Sequence, residues 1–357
     1  MKILFCIPNL RHGGAERQLT YLAAQLSRMG HEVHVASSRG GSNLDRLKSS
    51  GASWHNLGGT CNRDPLIFFR LVGLIRRLRP DIVQTILTPM DIMGGAAALL
   101  TRTRWVLKES SSAPLYAAGL RNRLRLALGR RADAVVSNSA GGDAYWRAAW
   151  ARERHVIPNA VPFDEIAGAG PLGRAAEPRL APGEKMVLFA GRMDKGKNVE
   201  GLVAALARIA GEVPFVAVLC GDGPRRPDLE RLAGGLGLGR RLLFPGYVSN
   251  LWHLMKRADA FVSLSRFEGC PNVVLEAAAC GSPLIVSDIP AHRELFDGRG
   301  ALFVDPDDAA GAAEALKATL MCGHTAHERA QVARARVTGM SVEATAQIYE
   351  RLYLSLC

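Results

Sequence analysis

A rhythm of short apolar runs alternating with longer helical stretches constrains this chain more than any other feature, and it occurs twice. The first series runs KILFCI, GAERQLTYLAAQLSRMG, EVHVAS, DIVQTI, RWVLKE and DAVVSNS. The second runs MVLFAG, a helical stretch over Asn198 to Ala210, FVAVLCG, PDLERLAGGLG, RLLFPG and ADAFVSLS. Strands separated by helices at this spacing need crossover connections, so each series predicts βαβ units and a parallel sheet. Between them, FDEIAGAGPLGRAAEPRLAPG (163–183) is rich in Gly, Pro and Ala and keeps no period, which predicts an inter-domain linker. At about 150 residues per domain, 357 residues also favour two cores over one. The expectation is two doubly wound α/β domains, 1–165 and 184–340, followed by a helical segment over 341–357.

The apolar share of 48% with 22% charged residues is that of a globular chain. Seven cysteines without C-x-x-C spacing predict reduced thiols and no zinc site. The opening MKILFCI has only a short apolar run with no small-residue cleavage site after it, and is expected to be a first strand rather than a leader. No stretch approaches the ~18 apolar residues of a membrane span, so the chain is not expected to cross a bilayer; the odd number of unpaired cysteines is what makes a cytoplasmic protein the expectation.

The net charge of +12 is uneven: residues 1–165 hold 23 Lys+Arg against 12 Asp+Glu, and the rest hold 22 against 21. A charge excess confined to one domain implies an anionic partner surface, nucleic acid or acidic lipid. Aromatics make up only 6% and no basic–aromatic platform is evident, which sets nucleic acid aside. In Leu120–Arg131 a helical wheel puts Leu120, Leu124, Ala127 and Leu128 on one face, flanked by Arg121, Arg123, Arg125, Arg130 and Arg131. Two readings fit, a helix lying in an anionic membrane interface and a helix packed on the core with a solvated outer side; the charge excess favours the membrane.

Three segments carry chemistry. In Arg266–Gly281, RFEGCPNVVLEAAACG, a strand runs through a loop into a helix. Glu268 lies in the loop, and Gly269, Cys270, Pro271 and Asn272 lead into a helix start whose free amides attract anions. Glu276 lies eight residues after Glu268, about one turn inside the helix. Two carboxylates around such a terminus suit a ligand with hydroxyls at two places and a phosphate between them, a sugar nucleotide. The second segment, GRMDKGKN (191–198), satisfies G-x4-G-K, but Asn198 stands where a magnesium-binding hydroxyl belongs. Arg192 and Lys197 there oppose a helix dipole unless an anion compensates them. The third, His12-Gly13-Gly14-Ala15-Glu16, joins the first strand to the first helix, where its glycines serve either a tight turn or a close approach to phosphate.

Taken together, SRFEGCPNVVLEAAACGSP, GGAER, GRMDKGKN, the turn Gly221-Asp222-Gly223-Pro224 and Asp305-Pro306 closely resemble the retaining GT-B glycosyltransferases of family 4, over nearly the whole chain. The resemblance implies two Rossmann-like domains facing a cleft, the first for the acceptor and membrane, the second for the nucleotide sugar, with the tail crossing back to the first. It assigns Glu268 to the donor sugar and Glu276 to the ribose hydroxyls. It gives Arg192 and Lys197 the task of neutralising the donor diphosphate, so that neither metal nor other cofactor is required. Gly13, Gly14, Gly191, Gly221, Gly269, Cys270, Pro271 and Asn272 fall on the donor side, and Glu16, Glu109 and Asn138 on the acceptor or sugar side. Many family members carry a His after a first-domain strand; here that stretch is WVLKES (105–110), as in subfamilies that build surface polysaccharides. Glu109 is left as either an acceptor contact or a strand-end carboxylate.

The implied activity moves a hexosyl or N-acetylhexosaminyl group from a nucleotide-diphosphate sugar, expected to be UDP-linked. The acceptor would be a saccharide, free or linked to polyprenyl diphosphate, at the inner face of the cytoplasmic membrane. The rivals are a GT-B nucleotide-sugar epimerase and a non-catalytic sugar-nucleotide-binding protein. The presence of Arg192, Lys197, Glu268 and Glu276 together argues against both.

Overall fold

The computed structural model describes residues 1–11, 13–59, 61, 64–111, 119–147, 149, 153–170 and 178–357. The chain divides into two compact units, 1–160 with 340–357, and 161–339. Seven strands form the first sheet: β1 (Lys2–Asn9), β2 (Glu32–Arg39), β3 (Ser53–Asn56), β4 (Ile82–Ile86), β5 (Arg104–Glu109), β6 (Ala134–Ser137) and β7 (Glu153–Val156). Six form the second: β8 (Lys185–Ala190), β9 (Phe215–Cys220), β10 (Leu242–Gly246), β11 (Ala260–Ser263), β12 (Leu284–Ser287) and β13 (Leu302–Val304). Every pairing is parallel.

Helices cover both faces of such sheets, which is why the central strands read as unbroken apolar runs. In β4 and β9 every residue is buried, whereas the edge strands β3 and β7 are only half-buried. Strand order is β3-β2-β1-β4-β5-β6-β7 in the first unit and β10-β9-β8-β11-β12-β13 in the second. In each, the order reverses between two central strands, β1 and β4 or β8 and β11. Beyond the carboxyl ends of such a pair the connections diverge and open a crevice. The GG loop follows β1, the Arg192–Lys197 segment follows β8, and Glu268 follows β11.

The closing helix, Val342–Leu356, is capped by the Ser341 hydroxyl, which accepts from the Ala344 amide at 3.1 Å. It buries Ala346, Tyr349, Leu352 and Tyr353 in the core of the first unit, against the helix Gly14–Arg28. Polar pins hold it there: Lys108 Nζ donates to Tyr349 Oη at 2.5 Å, Tyr353 Oη to Gln84 Oε1 at 2.6 Å, and His31 pairs with Glu350 at 2.8 Å. The segment expected as a linker opens with a helix, Phe163–Gly168, that belongs to the second unit; residues 171–177 lie outside the described set. All seven cysteines are free thiols. No helix among the described residues is long and apolar enough to cross a membrane.

The helix Leu120–Gly129 corrects the wheel reading. Its leucines Leu120 and Leu124 face outward, 82% and 45% exposed, together with Arg121 and Arg123. Arg125 faces inward and is fully buried. Its Nε donates to Asp91 Oδ2 at 2.7 Å and its Nη1 to Glu109 Oε2 at 2.8 Å, with the guanidinium over the Trp146 ring. An arginine can take a core position when two carboxylates receive it, since a buried charge is tolerated only when paired and hydrogen-bonded. Leu120 and Leu124 are left outside, while Leu126 and Leu128 pack beside the arginine on the core.

Candidate active site

After β8 the chain turns sharply, and Asp194 shapes the turn. Its Oδ1 accepts from the amides of Gly196 at 3.0 Å and Lys197 at 3.2 Å, capping a single 3-10 turn, Lys195–Lys197. Asn198 then takes a left-handed conformation, φ 50°. Asn tolerates that region far better than Ser or Thr, which accounts for the departure from the P-loop pattern. Its side chain is anchored, donating to the Pro306 carbonyl at 2.6 Å.

This turn delivers Lys197 to the adjacent loop after β11. Lys197 Nζ forms an ion pair with Glu268 Oε1, and the Ser265 hydroxyl donates to the same oxygen at 2.7 Å. The loops are also joined through the backbone, Arg266 N–H to Gly196 carbonyl at 2.8 Å. Arg192 is held loosely, its Nε 3.7 Å from Asp194 Oδ2, and 72% of its side chain is exposed. One cation is thus fixed and the other can swing toward an incoming anion.

Gly191 and Gly221 hold the loops together. Gly221 has φ +118°, and a Cβ on it would lie 2.0 Å from the Gly191 carbonyl oxygen. The glycine therefore lets the ends of β8 and β9 pack closely. In the helix Asn272–Cys280, Pro271 occupies the capping position and no side chain caps the start; Gly269 and Cys270 lead into it. Glu276 is 2% exposed, and its Oε2 accepts from Trp252 Nε1 at 2.8 Å.

Sequence reasoning missed Trp252, Ser265 and His292. His292 is buried; its Nδ1–H donates to the Ser287 carbonyl at 2.8 Å, while Nε2 has no partner among the described residues. Burial depresses its pKa, opposed by the Ser287 hydrogen bond and by Glu268. Trp252 and His292 reach the site from other helices, and no local motif marks them.

In the first unit Gly13 precedes the helix Gly14–Arg28 with an extended backbone. A Cβ there would lie 1.9 Å from Glu16 Oε2, because the Glu16 carboxylate folds back over the helix start. Burial raises the Glu16 pKa, partly offset by its own amide. A carboxylate thus already sits where the helix attracts negative charge. His12 lies outside the described residues. Glu109 is fully buried, accepting from Arg125, from Trp146 Nε1 at 3.0 Å and from the Ser111 amide at 2.9 Å. Asn138 donates to the Ser110 carbonyl at 3.3 Å and leaves a buried Oδ1 without a partner among the described residues.

Known proteins resemble this chain in sequence and in fold. Residues 12–165 match the family described as Glycosyltransferase Family 4, and residues 175–336 the family described as Glycosyl transferases group 1. The lipopolysaccharide core biosynthesis glycosyltransferase LpsE of Rhizobium meliloti is 28% identical over 320 residues, 86% of this chain and 85% of its own. A Campylobacter jejuni N-acetylgalactosaminyltransferase, named for the diphospho-undecaprenol-linked saccharide it extends, is 30% identical over 53% of this chain and 51% of its own. Among solved structures, Anabaena HepE in complex with UDP and glucose superposes with a TM-score of 0.87 at 20% identity, over 99% of this chain and 100% of its own. The two parallel sheets and these likenesses define a glycosyltransferase of GT-B fold. Both of its halves carry glycosyltransferase domains, of family 4 and of group 1.

Proposed function

We propose that this glycosyltransferase is retaining and metal-independent. On this reading it moves a hexosyl or N-acetylhexosaminyl group from a UDP-sugar to a saccharide carried on a lipid, in synthesis of lipopolysaccharide or another surface polysaccharide. The observation that carries the reading is the Lys197–Glu268 ion pair at the β8/β11 switch point, with the exposed Arg192 beside it.

The acceptor hydroxyl attacks the anomeric carbon from the face the diphosphate leaves. The new C–O bond forms as the bond to the phosphate oxygen breaks, and the acceptor's proton passes to the departing diphosphate. Lys197 and Arg192 stabilise the charge that grows on that diphosphate, the work a divalent cation would otherwise do. Glu268, shared between Lys197 and Ser265, holds the lysine and presents its carboxylate to the sugar hydroxyls; Glu276 takes the ribose. HepE, solved with UDP and glucose, supports a uridine-linked donor, and the diphospho-undecaprenol in the Campylobacter relative's name supports a lipid-linked acceptor.

Such an acceptor places the enzyme at an anionic phospholipid surface, and the first unit has a face suited to it. Leu120 and Leu124 stand outward among Arg121 and Arg123. The helix Leu66–Leu78, which packs on the same helix Thr88–Thr101, exposes Leu66, Phe69, Arg70, Arg76 and Arg77. Exposed apolar side chains ringed by arginine match a lipid interface in both respects.

Purified protein incubated with a panel of nucleotide sugars in excess chelator tests the reading. Release of nucleoside diphosphate from one of them is expected. Interconversion of the sugar with the nucleotide left attached would point to an epimerase, and loss of turnover restored by magnesium would remove the metal-independent mechanism.

A further inference from the structure

We infer that Trp252 is a positioning residue for Glu276 and through it sets the affinity for the nucleoside half of the donor. The inference rests on the nucleotide-sugar reading and deepens it.

The two carboxylates of the corner are held differently. Glu268 meets a cation and a hydroxyl. Glu276 receives the indole N–H of Trp252, at 2.8 Å on Oε2. An indole donates one hydrogen bond, accepts none and carries no charge. It therefore orients the carboxylate while leaving its negative charge intact for the hydroxyls of a ribose. A buried glutamate free to rotate about its last bonds would lose rotamer entropy on binding, and a prior hydrogen bond removes much of that cost.

The helix that carries Trp252, Leu251–Arg257, cannot drift from the helix Asn272–Cys280. Cys280 Sγ donates to the Trp252 carbonyl at 3.8 Å, and Ser282 Oγ donates to the Met255 carbonyl at 2.6 Å. Burial, with Glu276 nearby, pushes the Cys280 thiol up to about 12, so it stays a donor across the physiological range. The indole is thus fixed at both its backbone and its ring nitrogen.

Trp252→Phe keeps the ring and deletes the donor. Calorimetric titration of the protein with UDP and, separately, with inorganic pyrophosphate tests the inference. The variant should bind UDP about tenfold more weakly, the scale of one hydrogen bond to a charged group. Its affinity for pyrophosphate, which meets Arg192 and Lys197 but has no ribose, should be unchanged. With a donor sugar nucleotide KM should rise while kcat holds, the pattern of lost uniform binding. In a Glu276→Gln background the same change should add little. Unchanged UDP affinity overturns the inference. So does equal loss of UDP and pyrophosphate affinity in a variant shown by circular dichroism to be folded. Should Trp252→Phe not fold, Trp252→His, which keeps a ring N–H donor, takes its place: UDP binding weakened together with pyrophosphate binding in that folded variant overturns the inference, and pyrophosphate affinity held at the parent's value supports it. A parent protein that binds none of the uridine, guanosine and adenosine diphosphates overturns the nucleotide-sugar reading itself.

Discussion

Lys197 and Glu268 lie 71 residues apart in sequence, on loops that leave the adjacent strands β8 and β11, and their side chains form an ion pair. Parallel topology produces this meeting: β11 enters the sheet beside β8 only after β9, β10 and their helices have been laid on the other side. The pair therefore sits at the one place in the second sheet where the chain changes direction.

Arg125 and Arg121 should behave oppositely although they are neighbours in one basic stretch. Arg125→Gln leaves Asp91 and Glu109 buried without their cation and should cost about 3–5 kcal/mol of stability. Arg121→Gln changes an exposed side chain and should stay within about 0.5 kcal/mol. Chemical denaturation of both variants checks this; equal stabilities would mean that the buried cluster is not a structural anchor.

The same cluster predicts a pH dependence. Burial raises the Asp91 carboxyl from 3.8 to about 6, against the pull of Arg125. Between those values the folded protein holds a proton that the unfolded chain has released. This group's contribution is thus fully present below 3.8 and is lost as pH rises through about 6. Thermal unfolding from pH 4 to 7 should show the parent losing ground to Asp91→Asn as pH rises, and parallel curves would contradict the shift.

Membrane docking should depend on the outward face alone. Replacing Arg121 and Arg123 with Gln, and Leu120 and Leu124 with Ser, removes two charges and two apolar anchors while leaving Arg125 in place. At about 1 kcal/mol per basic residue, the two charges alone should weaken binding to anionic liposomes by more than tenfold. Co-sedimentation with anionic and neutral vesicles is the measurement. Undiminished binding by the variant, or equal binding of the parent to neutral vesicles, would place the lipid contact elsewhere.

What the sequence disclosed follows from where each residue's environment is made. Strands such as β4 and β9, buried on both faces, announce themselves as apolar runs. Edge strand β3, SWHN, and the short β13, LFV, have no such pattern and are not marked in the sequence; β12, LIVS, is buried throughout but only four residues long, and it too is missed. In Leu120–Gly129 the helical period was legible but its orientation was not, because Arg125 and its two carboxylates take the buried face beside Leu126 and Leu128, while Leu120 and Leu124 lie outside. The site divides in the same way. Arg192, Lys197, Glu268 and Glu276 lie in short segments whose spacing carries their chemistry. Trp252 reaches Glu276 from the preceding helix and His292 lies beside Glu268 from the helix after β12, and both are adjacent only through tertiary packing.

The most direct test of the central claim is the rate of nucleoside diphosphate release by Lys197→Ala from the nucleotide sugar that the parent consumes. The lysine lies in a loop turn and its side chain is partly exposed, so the fold should survive its removal. Losing one preorganised contact to a developing anionic charge should lower turnover by ~10²-fold or more. Near-normal turnover in a folded Lys197→Ala protein would contradict the assignment of the Lys197–Glu268 pair as the centre of transfer.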